Sequence, residues 1–197
     1  MSKTVEFFFD LGSPASYLAH TQLPALCREA GAELLYRPML LGAVFQATGN
    51  ASPVLIPAKG RYLMRDLARC AERFAVPLRF NPHFPINTLA LMRLLVAVQM
   101  HQPARLYDAV HGLFEAIWVG GANLADPACV SEVLVGAGFD AAVLQAQSVE
   151  PEVKAALKAS TEEAVARGVF GAPTCFVEGE MFFGQDRLDF VHDALCR

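Results

Sequence analysis

Hydrophobic and polar positions change rhythm three times along this 197-residue chain. Residues 5–9 are short, aromatic-rich and closed by Asp10-Leu11-Gly12, the pattern of a buried strand. Ser13-Pro14 follows at once. Serine as N-cap and proline as first helical residue make a strong helix start, because proline has no N–H to lose there and its φ is already helical. Tyr17, Leu18, Leu23 and Leu26 lie in this helix, and Gly31 ends it. Pro24 inside it removes a hydrogen bond and predicts a kink. Residues 33–37 read as a second strand, ended before Pro38. Residues 5–37 therefore form strand, helix and strand, with the length a parallel crossover requires.

The second rhythm is helical. Residues 40–57, with Gly42, Gly49, Asn50, Pro53 and Pro57, predict a loop or weak helix. From 59 to 167 apolar residues recur at helical spacing: Leu63, Leu67, Cys70 and Phe74, then Leu91, Leu94, Leu95 and Val98, then Leu106, Val110, Leu113 and Ile117. Residues 80–87 interrupt them as a rigid loop holding Pro82 and Pro85, and Asp126-Pro127 and Glu150-Pro151 start two more helices. The third rhythm is two short runs, 174–177 and 181–183, split by Glu178-Gly179-Glu180, which predicts a hairpin. A last helix starts at Gly184-Gln185-Asp186 and carries Leu188, Val191 and Leu195. The order βαβ, helical middle, ββα places the chain in the α/β class, with a large all-helical insertion after the second strand.

Composition narrows the function. With 54% hydrophobic and 18% charged residues the chain is no disordered segment. No run reaches the roughly 18 apolar residues of a membrane span, since Arg93 and Asp140 break the best candidates. The first ten residues hold only a three-residue apolar run before Asp10, which is no signal-peptide layout. A net charge of −4 argues against nucleic acid as the main partner. The five cysteines are odd in number, widely spaced and form no C-x-x-C, so neither a disulfide scaffold nor a structural zinc site is expected, and a reducing cytoplasm fits. The five histidines are unclustered, and no metal site is expected. The apolar excess calls for a hydrophobic ligand pocket, a subunit interface, or both.

Three constellations can carry chemistry. Ser13 sits where a helix begins, and free N–H groups there stabilise an anion. Its hydroxyl can hold a thiolate or carboxylate, or serve only as a cap; no G-x-S-x-G elbow supports a hydrolase. Pro173, directly before a strand, suits a cis bond that exposes the N–H and C=O of Ala172 to an extended, peptide-like ligand; an ordinary trans proline is the alternative. In Phe183-Gly184-Gln185-Asp186-Arg187, Asp186 either caps the last helix or binds a ligand ammonium, with Gln185 beside it for a carboxylate. Cys175, Trp118 and the phenylalanines read as core.

The order of elements resembles the thioredoxin fold, and the helical insertion resembles the disulfide-oxidoreductase (DsbA-like) and kappa-class glutathione transferase branch. Residues 1–40 plus 168–197 would form the thioredoxin-like domain and 41–167 the helical insertion domain. The dithiol position holds Ser13-Pro14-Ala15-Ser16, which leaves no thiol for disulfide exchange. Phe8–Tyr17, Gly49-Asn50, residues 57–62, 80–85 and 169–174, and Phe183–Leu188 together resemble the 2-hydroxychromene-2-carboxylate isomerases over the whole chain.

That resemblance implies glutathione as cofactor, a small aromatic carboxylate as substrate and a homodimer. It implies interconversion of 2-hydroxychromene-2-carboxylate and trans-o-hydroxybenzylidenepyruvate by reversible thiolate addition, bond rotation and elimination, with a kappa-like glutathione transferase conjugating another electrophile and a non-catalytic thioredoxin-like binding protein as the alternatives. Ser13 would be the catalytic residue, holding the glutathione sulfur. Ala172 before Pro173 would pair with the cysteinyl part, and Phe183, Gly184, Gln185 and Asp186 would hold the γ-glutamyl end. Asn50, Lys59, Phe84 and Asn87 would face the substrate. Some family members carry a lysine near position 45, where this chain has Phe45-Gln46.

Overall fold

The computed structural model describes residues 3–197. The first two residues of the 1–40 segment, and of the ten-residue N-terminal stretch, lie outside the described residues. The observed elements are β1 (Thr4–Phe9), α1 (Pro14–Glu29), β2 (Glu33–Pro38), α2 (Leu41–Thr48), α3 (Pro57–Arg73), α4 (Leu89–His101) and α5 (Leu106–Trp118). They continue with α6 (Pro127–Gly136), α7 (Ala141–Ser148), α8 (Pro151–Ala166), β3 (Thr174–Val177), β4 (Glu180–Phe183) and α9 (Leu188–Cys196). The expected order holds, with a true helix, α2, where a loop or weak helix was predicted. It buries Val44 and packs on α8, so tertiary contact decides what a glycine-containing octapeptide leaves open.

The sheet has the order β2-β1-β3-β4, parallel between β1 and β2 and antiparallel elsewhere. The β3–β4 hairpin turns through Glu178 and Gly179, both with positive φ (49° and 87°), the two-residue turn whose twist matches the strands. β1 is central and buried on both faces, which explains an aromatic run without polar alternation. Phe7 and Phe9 stack at 5.1 Å toward the main core, which also contains Leu18, Leu95, Phe114 and Trp118. Phe8 points the other way, to Met39, Val44, Ala164 and Phe176. The main core runs without a break from the sheet into the helical insertion.

Charged groups close the second face. Arg167 lies 3.9 Å over the Phe176 ring and donates to Glu6 at 2.7 and 3.0 Å, while Arg37 bonds Glu6 at 2.6 Å and also pairs with Glu163. The Arg167 hydrogen bonds hold the Glu6 carboxyl below its usual range, against the opposing effect of burial.

On the other side, His20 is buried with Tyr36 Oη 2.9 Å from Nδ1 and His111 Nδ1 3.3 Å from Nε2. Burial pushes the His20 pKa down to about 3, and neighbouring His111 adds to the shift. The unfolded imidazole titrates near 6.5, so its contribution to stability is full above that pH and is lost as pH falls toward 3. The advantage of the native chain over His20→Gln should therefore shrink by about 1.4 kcal/mol per pH unit from pH ~6.5 down to pH ~4.5. Comparing the two chains cancels Asp10, whose raised pKa acts in the opposite sense, and the window lies above the titration of Glu6. Urea titrations of both proteins check it, and a pH-independent difference would refute it.

Candidate active site

The site begins with Asp10, at the end of β1. Its Oδ1 accepts from the Gly12 N–H (2.8 Å) and its Oδ2 from the Leu41 N–H (2.8 Å) at the start of α2, and Thr88, just before α4, adds a side-chain bond. One fully buried carboxyl thus joins the loop before α1 to the starts of α2 and α4 in the insertion. Burial pushes its pKa up, opposed by these three donors. Leu11 is clamped from the helical side: its carbonyl accepts from Trp118 Nε1 (2.9 Å) and its N–H faces Met92 Sδ (3.4 Å).

Ser13 follows as the N-cap of α1, its Oγ accepting from the Ser16 N–H at 3.1 Å. The same hydroxyl donates to the Ala172 carbonyl at 3.1 Å, across 159 residues of sequence. The cap and the candidate catalytic group are one atom. Of the two alternatives at Pro173 the structure has the cis one: Ala172-Pro173 is a cis peptide, and Phe84-Pro85, for which no isomer was predicted, is cis as well. The Pro173 carbonyl accepts from the Gly184 N–H at 3.0 Å, which joins the third constellation to the second.

Gly184 has φ +98° and ψ 153°, open only to glycine, and an added Cβ would meet Asp186 Oδ1 at 2.5 Å. Gly184→Ala is expected to cost about 1–3 kcal/mol, read as a lower urea midpoint. Gly171 has a related constraint, since an added Cβ would lie 2.7 Å from the Phe183 ring. Gln185 is buried in a single 3-10 turn before α9, and its Nε2 approaches Cys70 Sγ of α3 at 3.5 Å. Asp186 caps nothing by its side chain; its carboxylate pairs with Arg187.

These groups open into one cavity of about 660 Å³. Ser13, Ala172, Phe183, Gly184, Gln185 and Asp186 line it, as do Asn50, Lys59 and Phe84. Pro173 stands behind Ala172 and does not itself line it. Asn50 has both ends of its amide engaged: Nδ2 donates to the Phe170 carbonyl (2.8 Å) and Oδ1 accepts from the Ala51 N–H (2.8 Å). It braces the end of α2 against residue 170. Asn87 departs from the expectation. Its Oδ1 accepts from the Leu89 N–H at 3.1 Å, and it borders a separate shallow groove with Gly42 and Gln46, because the loop turns away after Phe84.

Sequence reasoning missed several lining residues. Phe45 of α2, Phe80, Phe170, Leu55 and Ile56 all face the cavity. Phe80 and Phe84 meet edge-on at 5.2 Å, and Phe170 and Phe183 lie 4.6 Å apart. The exposed apolar pair Leu55-Ile56 beside Pro57 was the available signal. Among the described residues no group of three or more His, Cys, Asp or Glu could hold a metal ion. Burial pushes the Cys27 thiol up to about 11 and raises Cys175 further, so neither supplies a thiolate near neutral pH. No helix among the described residues is long and apolar enough to cross a membrane.

The fold and this site define a thioredoxin-like protein without its dithiol, and comparison with known proteins agrees. A model of the DSBA-like thioredoxin domain matches residues 4–196, and the chain belongs to that family. A 2-hydroxychromene-2-carboxylate isomerase of Sphingobium xenophagum is 34% identical over 99% of both chains. Human glutathione S-transferase kappa 1 is 31% identical over 99% of this chain and 92% of its own. A solved structure of a 2-hydroxychromene-2-carboxylate isomerase superposes with a TM-score of 0.85 at 31% identity, covering 98% of this chain and 95% of the other.

Proposed function

We propose that the chain is a glutathione-dependent isomerase that interconverts 2-hydroxychromene-2-carboxylate and trans-o-hydroxybenzylidenepyruvate. The observation that carries this is the Ser13 hydroxyl, held at the start of a 16-residue helix and aimed across the cavity at Ala172. Glutathione fits the donor set there: a hydroxyl and helix N-terminus for sulfur, a strand-like backbone edge at Ala172 and a carboxylate at Asp186. Glutathione, when bound, would supply a thiolate nucleophile whose reversible addition would turn a conjugated C=C of the substrate into a freely rotating single bond, with the double bond restored as the thiolate is expelled.

The chain's own residues orient and stabilise. Ser13 exchanges one acceptor for another, giving up the Ala172 carbonyl for the sulfur. That carbonyl and the Ala172 N–H become the two ends of a backbone pair with the cysteinyl residue. Neither group is left unpartnered in the bound form, so the desolvation cost of binding stays small. Gly184, Gln185 and Asp186 receive the γ-glutamyl end, Asp186 offering its carboxylate to the ammonium in place of Arg187. Lys59, in the first turn of α3, faces a substrate carboxylate. Phe45, Phe80, Phe84 and Phe170 supply apolar walls for an aromatic ring, which suits Phe45 where family members carry lysine.

The reading includes a homodimer in a reducing cytoplasm. Exposed Tyr62 and Phe190 (63% and 55%) offer apolar surface for an interface, and all five cysteines are free thiols.

The deciding experiment mixes the chain with 2-hydroxychromene-2-carboxylate and follows absorbance with and without glutathione, then weighs the product. A glutathione-dependent change with unchanged product mass is expected. A product heavier by glutathione would instead make the chain a transferase, the reading its likeness to the human kappa enzyme favours.

A further inference from the structure

A second cavity of about 460 Å³ lies behind α2, between α2, α4 and α8. It shares no lining residue with the active-site cavity, although α2 walls both: Leu41 and Phe45 face one, Ala43 and Ala47 the other. Its volume falls within the roughly 300–1,000 Å³ of small-molecule sites. Leu89, Leu157 and Val165 make its floor and sides apolar.

The charge in it is one-sided. Arg93, Lys154 and Lys158 border it against a single carboxylate, Glu162, which sits 3.6 Å from Lys158. Lys154 has no ion-pair partner among the described residues. Arg93 is half-buried in the wall, and its Nε is shielded from solvent with no hydrogen-bond partner among the described residues. A shielded guanidinium donor beside an apolar cavity is costly unless an acceptor reaches it. A carboxylate matches the guanidinium fork, accepting from Nε and a terminal nitrogen at once.

We infer that this cavity is a binding site for a small carboxylate with an apolar body, its head group on Arg93 and Lys154 and its body along Leu89, Leu157 and Val165. The site is separate from the active site and does not depend on the reaction assigned above. Such a ligand has two sources, a medium-chain fatty acid or an aryl carboxylate.

Calorimetric titration of the full chain with decanoate and with cinnamate tests the site and separates the sources. Saturable one-to-one binding is expected for at least one acid, and the tighter of the two names the source. Decanol, lacking the charge, should bind at least about tenfold more weakly than decanoate. Arg93→Met should weaken the acid by at least about tenfold. Ala47→Trp, at an exposed position of α2, should block the cavity without touching Arg93 and serves if the arginine variant fails to fold. Saturating glutathione and Ser13→Ala should leave binding unchanged. The inference is overturned if neither acid saturates, if Arg93→Met and Ala47→Trp bind as the native chain does, if decanol binds equally, or if glutathione displaces the acid.

Discussion

Ser13→Ala is expected to lower glutathione-dependent turnover of 2-hydroxychromene-2-carboxylate by about 10²–10³-fold, the usual cost of removing one preorganised donor from a developing or resident anion. The fold should suffer little. The lost cap bond from the Ser16 N–H is worth about 0.5–2 kcal/mol, and the free N–H groups of α1 remain. Two readings separate catalysis from folding. The ultraviolet thiolate signal of bound glutathione should titrate at higher pH in the variant, because the sulfur has lost a donor that favours its charged form. The KM for glutathione should move much less than kcat, since Ala172 and the residues 184–186 still bind the peptide portion. Native turnover in Ser13→Ala would remove the residue from the mechanism.

Trp118→Ala is the largest expected effect on stability, about 3–5 kcal/mol, the range for deleting a large buried aromatic side chain. Trp118 is fully buried, and its indole stands 6.2 and 6.0 Å from the Phe80 and Phe84 rings. It also donates to the Leu11 carbonyl, two residues before Ser13. The substitution therefore loosens a cavity wall and the active-site loop together. Trp118→Phe keeps most of the ring and loses the hydrogen bond, leaving the buried carbonyl short of a partner at a cost of about 1–3 kcal/mol. Urea denaturation of both variants orders the effects. Equal losses would mean that the hydrogen bond carries the whole contribution and that packing carries none.

Much of the site was legible because its signals are local. A serine before a proline specifies a helix start through the sterics of one turn, and that turn puts Ser13 at its N-terminus in the structure. Proline before a short β run pointed to Ala172, and a Gly-Gln-Asp start pointed to residues 184–186. Where the signal was long-range, reading by position failed. Asn87 is three residues from Phe84 in sequence, yet only Phe84 reaches the active-site cavity, since the loop between them changes direction. Asn50 lines the cavity as expected, but its amide is committed to Phe170, a partner 120 residues away.

By itself the sequence determined the succession of strands and helices, the aromatic central strand and the absence of a dithiol, because these follow from periodicity, capping and residue identity within a few positions. Only the tertiary structure decided that the Ser13 hydroxyl bonds Ala172, that Asp10 gathers the starts of α1, α2 and α4, and that Arg93 stands with a shielded donor beside a second cavity. Each of those depends on packing elements far apart in the chain, and the free energy that sets such distances is shared among many buried contacts rather than written in any one segment.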